Sequence, residues 1–181
     1  MSFFKTLVIL GMLIIVGSAG FIYSGLYPMG ADVPHNQFTY WVLETLRERS
    51  IQQASKDIEV PELDGSELLL SGGPDYNEMC ASCHLQPGKV QSDMSLGLYP
   101  GPPNLAKSHA DDNHGEVAQA ARRQFWIIKH GIKASGMPAW GETHDDGRIW
   151  AMVAFLRKLP ELTPVQYQIL TARGDDAPSN H

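Results

Sequence analysis

Residues 80–84 read CASCH and contain the only two cysteines of the 181-residue chain, Cys80 and Cys83. His84 follows the second cysteine directly. Such a cluster is typical of a zinc half-site, a redox dithiol or covalently bound haem. A structural zinc site requires about four ligands, and this cluster supplies three. A thioredoxin-like dithiol is expected in a βαβ unit, whereas the patterns in this chain are helical.

A c-type haem accounts for the whole cluster. Each thiol adds to a haem vinyl group, so the two cysteines form two thioether bonds. The adjacent histidine is then placed beside the porphyrin, where it ligates the iron. We therefore predict one haem c, attached at Cys80 and Cys83, with His84 as the first metal ligand.

The second axial ligand is predicted in the stretch GMPAWG, residues 136–141. Gly136 and Pro138 favour a non-helical loop, which is suited to presenting the thioether of Met137 to the iron. Met94 and His130 are the rival ligands. Tryptophans at 126, 140 and 150 are available to pack near the haem.

The segment Thr6–Leu26 contains no charged residue. With a rise of about 1.5 Å per residue, a helix of this length spans a hydrocarbon core of about 30 Å. Lys5 precedes it, so the positive-inside rule places the rest of the chain outside the cytoplasm. The alternative is a cleaved signal peptide, with small residues at Gly17–Ala19 as the cleavage site. We favour a membrane anchor because the apolar run continues through Phe21–Tyr23.

The remaining chain is predicted to be all-α. Periodic patterns and end signals indicate helices at about 36–56, Pro74–Ser82, Gly115–Lys129 and Asp146–Leu159. The first of these is either a membrane-surface helix or a spacer that packs on the anchor or the globular domain. Asn113 and Glu116 resemble a capping box. We therefore divide the chain into an anchor at 1–27, a juxtamembrane region at 28–71, a haem domain at 72–160 and a tail at 161–181. The juxtamembrane region contains the first helix and a tether at 57–71. The tail is expected to be disordered from Gly174.

The stretch from Gly72 to Leu159 resembles class I cytochromes c, in particular small bacterial monohaem domains. The motifs that carry the resemblance are CASCH at 80–84, PPNL at 102–105, which is similar to the family's proximal loop, and GMPAW at 136–140, which is similar to the distal methionine loop. The resemblance implies a cytochrome c fold for this stretch, which follows the transmembrane helix predicted from the N-terminal hydropathy. Together with the orientation that Lys5 indicates, the likeness to bacterial domains predicts a bacterial inner-membrane protein whose haem domain faces the periplasm.

The same resemblance implies two structural contacts. The Pro103 carbonyl is expected to accept a hydrogen bond from Nδ1 of His84, which orients the ring. Gly72 and Tyr76 are expected to cross the last helix near Met152 and Phe155. The loop from residue 85 to 101 departs from the family pattern, and the anchor and the 36–56 helix lie outside the family core.

The implied function is electron transfer by a carrier that is not an enzyme. Two protein ligands leave the iron no vacant position, and the expected partners are redox proteins. The alternatives are a subunit of a larger membrane oxidoreductase, a haem enzyme or gas sensor with a displaceable methionine, and a protein whose haem is only structural. The net charge of −6 argues against nucleic-acid binding. Acidic pairs at 111–112 and 145–146 are candidates for steering a basic partner.

Overall fold

The computed structural model describes residues 2–107 and 114–173, without the side chains of residues 2 and 114–116. Every regular element in this described part is helical, which confirms the predicted all-α class. The helices are α1 (Ser2–Ser24), α2 (Gln37–Ser55), α3 (Ser66–Met79), α4 (Ala81–His84), α5 (Asp93–Gly97), α6 (His114–His130), α7 (Asp146–Lys158) and α8 (Pro164–Thr171). Two short 3-10 turns lie at Trp140–Glu142 and Leu159–Glu161.

The chain divides into two compact units, Met1–Pro34 and His35–His181. The first unit contains α1, in which Phe3–Ser24 has a mean hydropathy of 2.2. By length and composition this helix is able to cross a membrane, as the helix of a signal sequence also would be.

Helix α2 is capped by Asn36 at its N-terminus and packs on α6. The Asn36 side chain accepts a hydrogen bond of 2.9 Å from the Thr39 amide, which satisfies one free N–H of the first turn. Ile51 is buried, and an ion pair of 2.9 Å joins Glu48 to Arg123 of α6. These contacts support the spacer hypothesis, in which α2 packs on the globular domain.

Helix α3 begins at Ser66, so the predicted start at Pro74 was wrong. Pro74 lies inside the helix, where it lacks the N–H that would bond to the preceding turn. The helix continues through this position because burial of Gly72, Gly73 and Tyr76 against other helices outweighs the lost bond. The helix then ends at Met79, short of the predicted Ser82.

The prediction of a tether at 57–71 was also wrong. Its last six positions belong to α3, and Leu63 is 5% exposed within the core. Ile58 and Val60 pack against the same core. Periodicity did not reveal these contacts because the segment before α3 buries isolated apolar residues in irregular backbone.

The crossing of α3 over α7 lies where it was predicted. A Cβ on Gly72 would collide with the backbone of Ala151 and would lie 2.8 Å from the Met152 amide nitrogen. The rings of Tyr76 and Phe155 are 5.5 Å apart. Only a residue without a side chain permits this approach, so α3 and α7 form the centre of the core.

We expect Gly72→Ala to destabilise the full chain by about 3 kcal/mol, because the added methyl overlaps backbone that cannot move away. Gly97→Ala is the matched control, since a Cβ at that helical glycine meets no atom within 4 Å. Chemical unfolding of the detergent-solubilised protein measures both. Equal unfolding midpoints would contradict the close crossing.

The later helices follow their predictions closely. Helix α6 extends the predicted bounds by one residue at each end, and α7 begins at Asp146 as predicted. The predicted Asn113–Glu116 capping box and the predicted disorder from Gly174 lie outside the described residues and side chains.

Helix α8 covers part of the predicted tail. Its residue Tyr167 is 3% exposed and donates a hydrogen bond of 2.9 Å to the Asn77 side chain of α3. Burial raises the pKa of Tyr167 to about 12. The beginning of the predicted tail is therefore part of the core.

Candidate haem site

A single cavity of about 570 Å³ brings all five predicted site residues together. Its volume lies within the range of about 300–1,000 Å³ that is usual for cofactor and ligand sites. The five residues come from three separate places in the chain and are Cys80, Cys83, His84, Pro103 and Met137. The walls of the cavity are mostly apolar, and residues of α3, α6 and α7 contribute to them.

Cys80 lies at the bend between α3 and α4, and Cys83 lies within α4. The carbonyl of Cys80 accepts hydrogen bonds from the amides of Cys83, at 3.1 Å, and His84, at 2.8 Å. This one turn of helix places both thiols and the imidazole against the same cavity. Cys80 is buried, Cys83 is partly buried, and neither forms a disulfide. Before haem is attached, burial, followed by the charges of Asp75 and Cys83, raises the pKa of the Cys80 thiol to about 12.

His84 is oriented by the proline-rich loop. Its Nδ1 lies 2.9 Å from the carbonyl oxygen of Pro103, and the Leu105 amide donates to the His84 carbonyl at 3.1 Å. Burial lowers the pKa of His84, and the hydrogen bond to Pro103 partly opposes this shift. A neutral ring that donates from Nδ1 keeps the lone pair on Nε2, which is the form that a metal ligand requires.

Tyr76 holds the chain reversal that follows His84. Its hydroxyl donates a hydrogen bond of 2.6 Å to the carbonyl of Leu85, whose φ of 69° is rare for a residue with a side chain. Burial raises the pKa of Tyr76 well above its ordinary value, so this hydroxyl remains a donor. The core helix α3 therefore fixes the position of α4.

Met137 lies in a loop that folds back on the end of α6. Its amide donates to the Ser135 hydroxyl at 3.1 Å, and its carbonyl accepts from the Ile132 amide at 3.1 Å. Gly131 has a φ of 65°, and a Cβ there would lie 2.7 Å from the Met137 carbonyl oxygen. These constraints hold the Met137 side chain at the cavity wall.

The rival ligands do not line this cavity within the described part of the chain. Met94 lies in α5 and is 52% exposed. The ring of His130 lies beside the ring of Trp126, and their centroids are 5.0 Å apart. Of the three tryptophans considered, Trp140 lines the cavity, while Trp150 stacks on Phe125 at 4.1 Å.

Sequence reasoning missed a fourth wall of the cavity. Tyr40, Glu44, Arg47 and Glu48 of α2 line it together with Arg123 of α6. The available signal was the polar side of α2, but nothing local in the sequence indicates that this side faces the CASCH segment.

The acidic pair at 145–146 has local structural partners. Asp145 caps α7 by accepting a hydrogen bond of 2.8 Å from the Arg148 amide. Asp146 forms an ion pair of 2.6 Å with Lys129. The pair at 111–112 lies outside the described residues.

An all-helical domain that gathers two thiols, a neutral imidazole and a methionine around one apolar cavity fits haem c. The family model described as cytochrome c oxidase, cbb3-type, subunit III matches residues 67–156. The chain is a c-type cytochrome that carries covalently attached haem c, and its family-level role is haem-based electron transfer. Searches of curated proteins and of solved structures gave no significant match.

Proposed function

We propose that the protein is a membrane-anchored monohaem cytochrome that carries single electrons between redox proteins. Cys80 and Cys83 would hold the haem through two thioethers, and His84 and Met137 would ligate its iron. The observation that carries the proposal is the convergence of these residues and Pro103 on one cavity. The haem supplies the one-electron couple between Fe(III) and Fe(II).

The protein groups around the cavity suit a carrier. The Pro103 hydrogen bond fixes the His84 ring and increases its donor strength, while a thioether from Met137 favours the ferrous state. Ligation of the iron by both His84 and Met137 would leave no position for oxygen or peroxide. The apolar walls exclude water, which limits rearrangement when the charge changes.

The location that we propose is the bacterial inner membrane, with α1 as a single-pass anchor and the haem domain in the periplasm. The length and hydropathy of α1 support the membrane span. The position of Lys5 before the apolar core of α1 supports the orientation. The division of the chain at residues 27, 71 and 160 belongs to the same proposal, with the qualification that α3 begins at Ser66.

A second candidate is an electron-transfer subunit of a larger membrane oxidoreductase. It is favoured by the family match, because that family is described as a subunit of an oxidase. The free-standing carrier and the subunit use the same haem chemistry and differ in whether a stable partner is bound.

Detergent extraction from native membranes distinguishes the two candidates. We expect a salt wash to leave the protein in the membrane and its intact mass to include α1. A free-standing carrier elutes alone and is reduced in proportion to partner concentration. A subunit co-purifies with a larger complex, and its reduction rate is independent of dilution. Release by salt of a chain that starts near Gly20 would contradict the anchor.

A further inference from the structure

Four charged side chains line the cavity, and they form one connected group. Arg47 Nη2 lies 2.6 Å from Glu44, and Arg47 Nε lies 3.1 Å from Glu48. Glu48 also pairs with Arg123 at 2.9 Å. No other Asp, Glu, Lys or Arg lines the cavity among the described residues. We call these four residues the α2–α6 charge cluster: Glu44, Arg47, Glu48 and Arg123.

The chemistry of haem gives a reason for such a polar wall. The vinyl groups that react with cysteine lie on one side of the porphyrin, and the two propionates lie on another edge. An ionised carboxylate in contact with an apolar wall, with neither a cation nor water as a partner, is strongly unfavourable. In this cavity the available cations are the two arginines of the α2–α6 charge cluster.

We propose that Arg47 and Arg123 bind the haem propionates, so that α2, a helix outside the matched segment 67–156, completes the haem site. This proposal rests on the attachment of haem at Cys80 and Cys83. It gives α2 a function beyond spacing the haem domain from the membrane anchor.

The two guanidinium groups retain donors for this role. Arg47 uses Nε and Nη2 in its bonds to the two glutamates, and Arg123 uses Nη2. Within the described part of the chain, no bond engages Nη1 of either residue. A guanidinium carries five N–H donors in a planar fork that matches a carboxylate. Each arginine therefore has room for a propionate while it keeps its glutamate partner.

Gln124, the residue after Arg123 in α6, carries an unpaired polar atom. It lines the same cavity, and its buried Oε1 has no hydrogen-bond partner among the described residues. Buried polar atoms are rarely left unpaired, and an amide that is rotated by 180° presents two N–H donors instead. A carboxylate bound next to Gln124 would satisfy such donors.

Redox titration of the full-length haem protein tests the proposal. In the double variant Arg47→Gln/Arg123→Gln, we expect about a tenfold shift of the equilibrium toward Fe(III), equivalent to 59 mV for one electron. Removing a cation and exposing propionate charge both favour the ferric state. Glu48→Gln should shift the equilibrium in the opposite direction, because it removes a negative charge. Arg49→Gln is the matched control, since Arg49 lies on α2 outside the cavity lining.

A resonance Raman spectrum reports on the propionates directly. We expect the propionate bending band to move in Arg47→Gln and in the double variant, to move less in Arg47→Lys, and to stay in place in Arg49→Gln. A band and an equilibrium that match those of Arg49→Gln would overturn the proposal. Haem staining of each variant separates this outcome from a failure of attachment, because staining depends on Cys80 and Cys83 and not on the arginines.

Discussion

Replacing both Cys80 and Cys83 with alanine should abolish covalent haem attachment, and either single replacement should weaken it. The reason is that the chain has no other cysteine to form a thioether. Haem staining after a denaturing gel measures the covalent bond alone. The matched control is Ser82→Ala, which changes a residue between the two cysteines without removing a thiol. Full staining of the double variant would show that the attachment site is misassigned.

The same double replacement should also weaken the fold. Cys80 is buried, and the cavity of about 570 Å³ has apolar walls that the cofactor would cover. Without haem these walls face water, and the loss of apolar burial lowers the free energy of unfolding. The Ser82→Ala protein should keep the unfolding midpoint of the parent.

Met137→Ala should leave the haem attached but lower its reduction potential by about 100 mV or more. Axial ligands move haem potentials over a range of about 0.8 V, and loss of the thioether leaves Fe(II) less well stabilised. The vacated position should bind carbon monoxide, which a six-coordinate carrier excludes. Redox titration with carbon monoxide binding measures both effects.

Met94→Ala is the matched control for this experiment, because Met94 is half exposed and lies outside the cavity lining. It should keep the parent potential and remain closed to carbon monoxide. The opposite result, with Met94→Ala open and Met137→Ala closed, would assign the ligand to α5. Spontaneous binding of carbon monoxide by the parent would instead favour the haem enzyme or gas sensor.

The sequence was most informative where chemistry depends on residue identity. CASCH and GMPAWG could be recognised without knowing how far apart they lie in the fold. Few functions other than haem binding use two cysteines followed by a histidine together with a methionine in a Gly-Pro loop. Long amphipathic helices were also predictable: α6 and α7 lie within one residue of their expected bounds. The helices α4 and α5 were missed as separate elements because four or five residues are too few to establish a periodic pattern.

The errors arose where distant contacts outweigh local signals. Pro74 resembles a helix start, yet burial of α3 against α7 carries the helix through it. The sequence predicted α2 as a surface or spacer helix, but its residues Arg47 and Glu48 line the cavity because α2 packs on α6. Periodicity describes one element at a time and does not specify which faces meet.

The central claim is that His84 and Met137 ligate the iron of a one-electron carrier. Optical redox titration of the purified full-length protein tests it most directly. We expect a single one-electron transition and a weak sulfur-to-iron band in the oxidised spectrum. This band should disappear in Met137→Ala and remain in Met94→Ala. Absence of this band from the oxidised parent, or its survival in Met137→Ala, would contradict the proposed ligation.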